Sequence, residues 1–244
     1  MTRGISTGIV IFILLVLQFT IFQSAERPLM AQTQTPPSPT PTSSPPPSSV
    51  ANPYFPAVVG AAWDFEWREW PPDRRGKQTS SIVSAESTSE GVRVTSRDET
   101  PDGTVTTRFV VTGKGVFREE VVLPKGRLVL PGRDLILPSP PVPGFAWETS
   151  FRLESPRLTE VARESKQVAG AVVPFATPAA IFTDCVRVVA TSITEPNKAT
   201  RTTTLMETYW CARVGLVASR RVTTDGAYSF DMFLMRYNIP AGER

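Results

Sequence analysis

The chain has 244 residues, with 26 Lys and Arg against 23 Asp and Glu, two cysteines and no histidine. Charge is nearly balanced and no basic cluster exceeds pairs such as Arg74-Arg75 and Arg220-Arg221, so nucleic-acid binding has no electrostatic footprint. The lack of histidine excludes Ser-His-Asp and Cys-His nucleophiles and ordinary His-ligated zinc or copper sites.

The first element is a short positive start, Thr2-Arg3, followed by an apolar run from Ile9 to Phe22 broken only by Gln18 and Thr20. That order predicts export. Residues 1–31 read either as a cleaved signal peptide or as a retained signal anchor. Extended back to Ile5, the run reaches about 18 residues, the lower edge of what spans a bilayer as a helix. The small-residue cleavage rule is poorly met, since Gln23 precedes Ala25 and Leu29 precedes Ala31. Neither cysteine lies near the segment, which closes the route that acylates a cysteine after the apolar run. Residues 32–53 are mostly Pro, Ser, Thr and Gln, without charge and with almost nothing apolar, too polar to bury a core. They predict an extended spacer, on the order of 3 Å per residue where polyproline geometry holds.

From Tyr54 onward the pattern is period-two alternation rich in Val, Thr, Phe and Tyr, cut by Gly, Pro and Asp-Gly turns. It predicts strands over 61–67, 79–86, 91–97, 105–112 and 116–123. Further strands are predicted over 147–153, 158–169, 182–194, 202–211, 216–223 and 228–238. Leu158–Gln167 is the one stretch that also permits helix. The expected fold is all-β: an antiparallel curved sheet or partly closed barrel built from two related halves, with little helix.

The halves, about 54–137 and 138–244, are read from a recurring opening. Pro56, Gly60 and Trp63 in the first match Pro140, Gly144 and Trp147 in the second, and each Trp is followed by an acid, Asp64 or Glu148. A later pair, Arg108–Phe117 and Thr208–Val217, repeats an aromatic-led strand, a turn and a Gly with apolar residues. This predicts one β unit used twice, with insertion in the second copy around Val172–Ile181.

Three short motifs carry a resemblance. Tyr54-Phe55-Pro56 with Gly60 and Trp63, the segment Pro178–Val188, and Tyr209-Trp210-Cys211-Ala212-Arg213-Val214-Gly215-Leu216-Val217 resemble motifs of exported bacterial β domains. Those domains are similar to DUF3108-type proteins and, more distantly, to lipoprotein-carrier folds of the LolA kind. The middle motif departs from the pattern, with Ala180 and Ile181 where Gly and Thr are usual. The resemblance implies an envelope-facing curved sheet and no defined reaction.

Cys185 and Cys211 predict a disulfide, the common fate of an even cysteine pair in an exported chain. No phosphate-cradling Gly-rich loop or metal-ligand spacing occurs, so the sequence predicts no cofactor and no metal site. Asp64 and Glu66 share one strand face and are the carboxylates a hydrolase could use, but the second copy offers Glu148 and Ser150. Among the aromatics, alternation with acids assigns Trp63 and Trp147 to the core. Trp67, Trp70, Tyr209 and Trp210 are the candidate ligand or partner contacts, Trp70 being best placed for exposure beside Pro71-Pro72. The leading expectation is an exported, non-catalytic envelope protein that binds a hydrophobic ligand or a protein partner on its curved sheet. A structural or adhesive module on a Pro-rich stalk is the alternative, and a carboxylate-based hydrolase the third reading. The domain is expected in the periplasm, outside the cell or tethered to a membrane through the N-terminal segment alone.

Overall fold

The computed structural model describes residues 52–155, 158–196 and 201–240; the N-terminal apolar segment and nearly all of the Pro-rich spacer lie outside them. The described residues form strands and no helix. These are β1 (Ala62–Trp70), β2 (Arg74–Thr88), β3 (Gly91–Thr100), β4 (Gly103–Thr112), β5 (Gly115–Leu123), β6 (Gly126–Val129) and β7 (Asp134–Pro138). They continue as β8 (Ala146–Ser155), β9 (Leu158–Ala176), β10 (Ile181–Pro196), β11 (Thr202–Cys211), β12 (Gly215–Thr223) and β13 (Ser229–Asn238).

Each strand pairs antiparallel with the next from β1 to β6 and again from β8 to β13. Two contacts close the ring. β6 pairs with β8, and β13 returns to β1 along its whole length, from Ala62 opposite Asn238 to Trp70 opposite Ser229. The expected curved sheet or partly closed barrel is therefore a closed antiparallel barrel, with β7 as an extra strand on the part of β5 that β6 leaves free. Leu158–Gln167, which also permitted helix, is part of the long strand β9.

Side-chain alternation sets inside and outside. In β1, Trp63, Phe65, Trp67 and Glu69 are buried, while Glu66, Arg68 and Trp70 are exposed. Burying one side chain such as Phe65 is worth about 2–3 kcal/mol, so the apolar interior strongly fixes this register. The outer wall carries charge, in pairs such as Glu66–Lys77, Arg97–Glu99, Arg108–Glu120, Arg220–Asp231 and Arg236–Asp64. Exposed pairs of this kind each add at most about 1 kcal/mol. Their placement puts paired charge on the outer face of strands all round the ring.

The two matched openings adopt the same turn. Gly60 and Gly144 have φ of 85° and 86°, a left-handed conformation that a Cβ would strain. Gly60 N–H donates to Ile82 O and Ala61 N–H to Val58 O; Gly144 N–H donates to Val168 O and Phe145 N–H to Val142 O. Each following Trp donates its indole N–H to a backbone carbonyl distant in sequence, Trp63 to Val214 O (2.6 Å) and Trp147 to Leu135 O (2.8 Å).

Beyond the barrel, the β9–β10 hairpin folds back over the outer wall. Phe175 stacks on Tyr209 at 3.9 Å, Phe182 lies beside Tyr237, and Ala179 N–H donates to Leu234 O. The expected insertion around Val172–Ile181 falls in this arm. At its base Cys185 and Cys211 face each other across the β10–β11 ladder and form the expected disulfide.

Candidate functional site

Inside the barrel lies a cavity of about 310 Å³, bordered by residues from every strand except β1. Its apolar wall includes Phe109, Val188, Trp210, Leu216 and Met232 from the main core, and Val121, Leu128 and Phe151 from a second cluster built by β5, β6 and β8. Between the clusters the interior is charged. Arg118, Glu164, Lys166 and Arg221 border the cavity, with Gln78, Asp98, Thr208 and Ser219 as further polar groups.

These charges are held by one another. Asp134 of β7 is 2 % exposed and accepts from Lys166 Nζ (2.9 Å) and Arg118 Nη2 (2.5 Å). Lys166 Nζ also reaches Glu164 at 3.1 Å. Burial alone would push the Asp134 carboxyl up, but Arg118 and Lys166 outweigh it and hold it below the usual Asp range. Arg118 lies 5.8 Å from the Phe151 ring centroid and Arg221 5.1 Å from that of Phe230, so each guanidinium rests on one of the two apolar clusters. Burial lowers the proton affinity of Arg221, and Arg118 opposes its charge further while Tyr228 and Glu164 favour it.

Asp98 differs. Burial pushes its carboxyl up and the adjacent Glu99 adds to this, against hydrogen bonds from Ser80 and Gln78. Ser219 Oγ and Arg118 Nε, on residues that border the cavity, are buried without a hydrogen-bond partner. The Thr208 hydroxyl opposite Ser219 already accepts from the Trp210 indole N–H at 3.1 Å. An arrangement of this kind can hold a molecule that has both an apolar part and a polar one.

The four aromatic contacts expected from sequence separate. Trp210 lies in the lumen wall and borders the cavity. Trp67 is 5 % exposed and stacks on Phe230, a cavity residue, without bordering the cavity itself. Tyr209 points outward under the β9–β10 arm, and Trp70 is half exposed at the opposite end of β1 from Gly60. Pro56 packs near Gly215, where an added Cβ would stand 3.2 Å from its ring, and Pro140 follows β7 on the way to the second opening. Asp64 and Glu66 both lie on the outer wall, bonded to Arg236 and Lys77, far from the lumen. Arg118, Asp134, Lys166, Arg221 and Ser219 were not singled out by sequence, and no local pattern marks them; Asp134 and Lys166 are 32 positions apart.

No protein-family model matches the chain, and no curated protein matches it. Solved structures do share its fold. A candidate lipoprotein from Parabacteroides distasonis superposes with a TM-score of 0.62 at 15% identity, covering 76% of this chain and 98% of its own. A candidate exported protein with a YmcC-like fold from Bacteroides fragilis superposes with a TM-score of 0.56 at 13% identity, covering 75% of this chain and 98% of its own.

Proposed function

We propose that this chain is an exported, non-catalytic envelope protein whose barrel lumen binds a small hydrophobic or amphipathic ligand. The observation that carries the reading is the internal cavity of about 310 Å³ walled by Phe109, Val188, Trp210 and Leu216. A barrel whose purpose is only structural gains stability from filling such a space, because interiors pack to crystal density and each void forfeits dispersion contacts. The volume matches the lower end of ligand pockets, about 300–1,000 Å³. Export rests on the apolar N-terminal segment and agrees with the exported and lipoprotein descriptions of the two proteins that share the fold. The Pro-rich residues 32–53 then act as a spacer, and the segment before them as signal or anchor.

Native mass spectrometry of the full chain recovered from its host tests this. A co-purifying small molecule is expected, and it is lost in Ala190→Leu, which fills the cavity from β10 while keeping the β spectrum. Bare polypeptide, under conditions that retain lipid in a control carrier, overturns the reading. A second reading, docking of a protein partner on the outside, is favoured by one feature: Val172 and Ile181 on the β9–β10 arm are 68% and 77% exposed.

A further inference from the structure

The two rims of the barrel differ in character. One carries the Gly60 and Gly144 turns, the β4–β5 and β11–β12 turns and the β9–β10 arm; the other carries the turns that follow β1, β3, β5 and β12. Among the described residues ten large apolar side chains are exposed, and six of them, Val59, Val142, Phe145, Val172, Ile181 and Tyr237, lie at the first rim. Trp70 lies at the second, and Val83, Val122 and Val161 sit within strands. Exposed apolar residues scattered singly need no explanation, but their collection at one end of a molecule marks an interaction face.

The arm contributes most to this face. Residues 168–183 hold no charged side chain, whereas the wall beside them carries the Arg187–Glu207 and Arg220–Asp231 pairs. Val172 is exposed at φ 57°, a left-handed conformation uncommon for a β-branched residue. Ile181 is exposed too and borders a groove shared with Phe182, Tyr237, Ile239 and Arg213. Arg213 and Lys114, the latter in the β4–β5 turn, are exposed cations of the same rim. Glu90, in the β2–β3 turn, is bound by Arg133 at 2.6 Å, and Asp184 at the base of the arm accepts from the Tyr54 hydroxyl at 2.9 Å.

The course of the chain indicates what this rim faces. The described residues begin beside it, where Pro53 O accepts from the Arg213 N–H at 2.6 Å. Residues 23–51 join that point to the apolar run Ile9–Phe22, which predicts export through a membrane. The one segment suited to a bilayer therefore leads to the barrel at its apolar, basic rim and not at the other one, which favours a lipid surface over a protein partner. We propose that this rim docks on an anionic lipid bilayer. Val172, Ile181 and Phe145 enter the boundary between headgroups and acyl chains, and Lys114 and Arg213 lie on lipid phosphates. This contact is additional to the N-terminal segment and independent of any ligand in the lumen.

Amide exchange of the full chain recovered from its host tests this, compared without vesicles, on phosphatidylcholine vesicles and on phosphatidylcholine vesicles containing phosphatidylglycerol. A retained N-terminal segment holds the chain on both vesicle types, so the difference between them reports the rim alone. Residues 170–173, 181–184 and 212–214 are expected to exchange about tenfold more slowly on the anionic vesicles, because two basic residues near such a surface favour contact by at least that factor. The opposite rim, at 101–103 and 224–227, keeps its rate. Ile181→Asp together with Val172→Asp removes the slowing, and Asp tolerates the left-handed position better than Val does. Lys114→Gln together with Arg213→Gln equalises the two vesicle types. Unchanged exchange in β1 and β13 without vesicles shows that a variant keeps the barrel, and the second pair of exposed substitutions decides if the first does not fold. Slowing at the opposite rim, or at neither rim, overturns the proposal. Equal slowing without vesicles makes the face a contact between copies, and equal slowing on both vesicle types removes the role of Lys114 and Arg213; either result also overturns it.

Discussion

Asp134 is the residue on which the interior charges depend. Its carboxylate joins Arg118 and Lys166, and all but about 1% of its side chain is hidden from solvent. Removing one member of a buried ionic group leaves the others uncompensated, which costs about 3–5 kcal/mol. Asp134→Asn should fall near the lower end of that range, because Lys166 keeps Glu164, and urea denaturation measures it. The carboxyls also set opposite pH dependences. Asp134 releases its proton more easily folded than unfolded, so its contribution is present above the ordinary Asp range and lost as pH falls through its depressed value. Asp98 binds its proton more tightly when folded, so stability is lost as pH rises from the ordinary Asp range, about 4, through its raised value. Asp98→Asn is therefore expected to be more stable than the parent at pH 8, with the gap closing as the solution is acidified. A gap that widens in acid contradicts this.

At the scale of elements, the ring is narrowest at β6. That strand has four residues and offers three paired positions to each neighbour, Val121–Leu123 on β5 and Arg152–Glu154 on β8. Gly126 opens it against β8, and a Cβ there would stand 2.4 Å from the Glu154 carbonyl oxygen. Gly126→Ala must push β6 off β8, and overpacking of this kind costs about 1–3 kcal/mol. Amide exchange should then accelerate in β6 and β8 before it does in β1 and β13, whose pairing runs the length of β1. The disulfide acts elsewhere, closing a separation of 26 residues at the base of the β9–β10 arm. Replacing Cys185 and Cys211 together by Ala should cost about 3 kcal/mol by the loop-entropy argument.

These elements also show what could be read from residues. β1 announces itself because Trp63, Phe65 and Trp67 alternate with Asp64, Glu66 and Arg68. β9 is read as a strand over 158–169 but left open to helix, since its lumen-facing residues include Glu164 and Lys166, and a charged interior blurs the apolar half of the pattern. β6 and β7 are only four and five residues long and are separated by the Pro131 turn, too short for any period to register. The site was hidden for the same reason: Arg118, Asp134, Lys166 and Arg221 read as ordinary surface charge until the ring brings them inside.

The whole molecule turns on how its two runs of strands meet. β1–β6 and β8–β13 follow the same order, begin from the Gly60 and Gly144 turns and each plant a Trp. Neither run could stand alone. An isolated half would leave two strand edges bare and would expose the inner face of Trp63 and Phe65 or of Phe151, Leu153 and Leu234. The main core is drawn from both halves, with Val94, Val111 and Val116 packed in the same cluster as Val168, Val186 and Leu234. Cooperativity follows from that shared core and from the β13–β1 and β6–β8 seams. Calorimetric unfolding of the full chain should show one transition for the barrel, with the van't Hoff enthalpy equal to the measured one. Two separable transitions, each assignable to one run of strands, would show instead that the halves are domains in their own right. In that case the lumen would be an interface, and a ligand held there would join the two halves and raise the lower transition first.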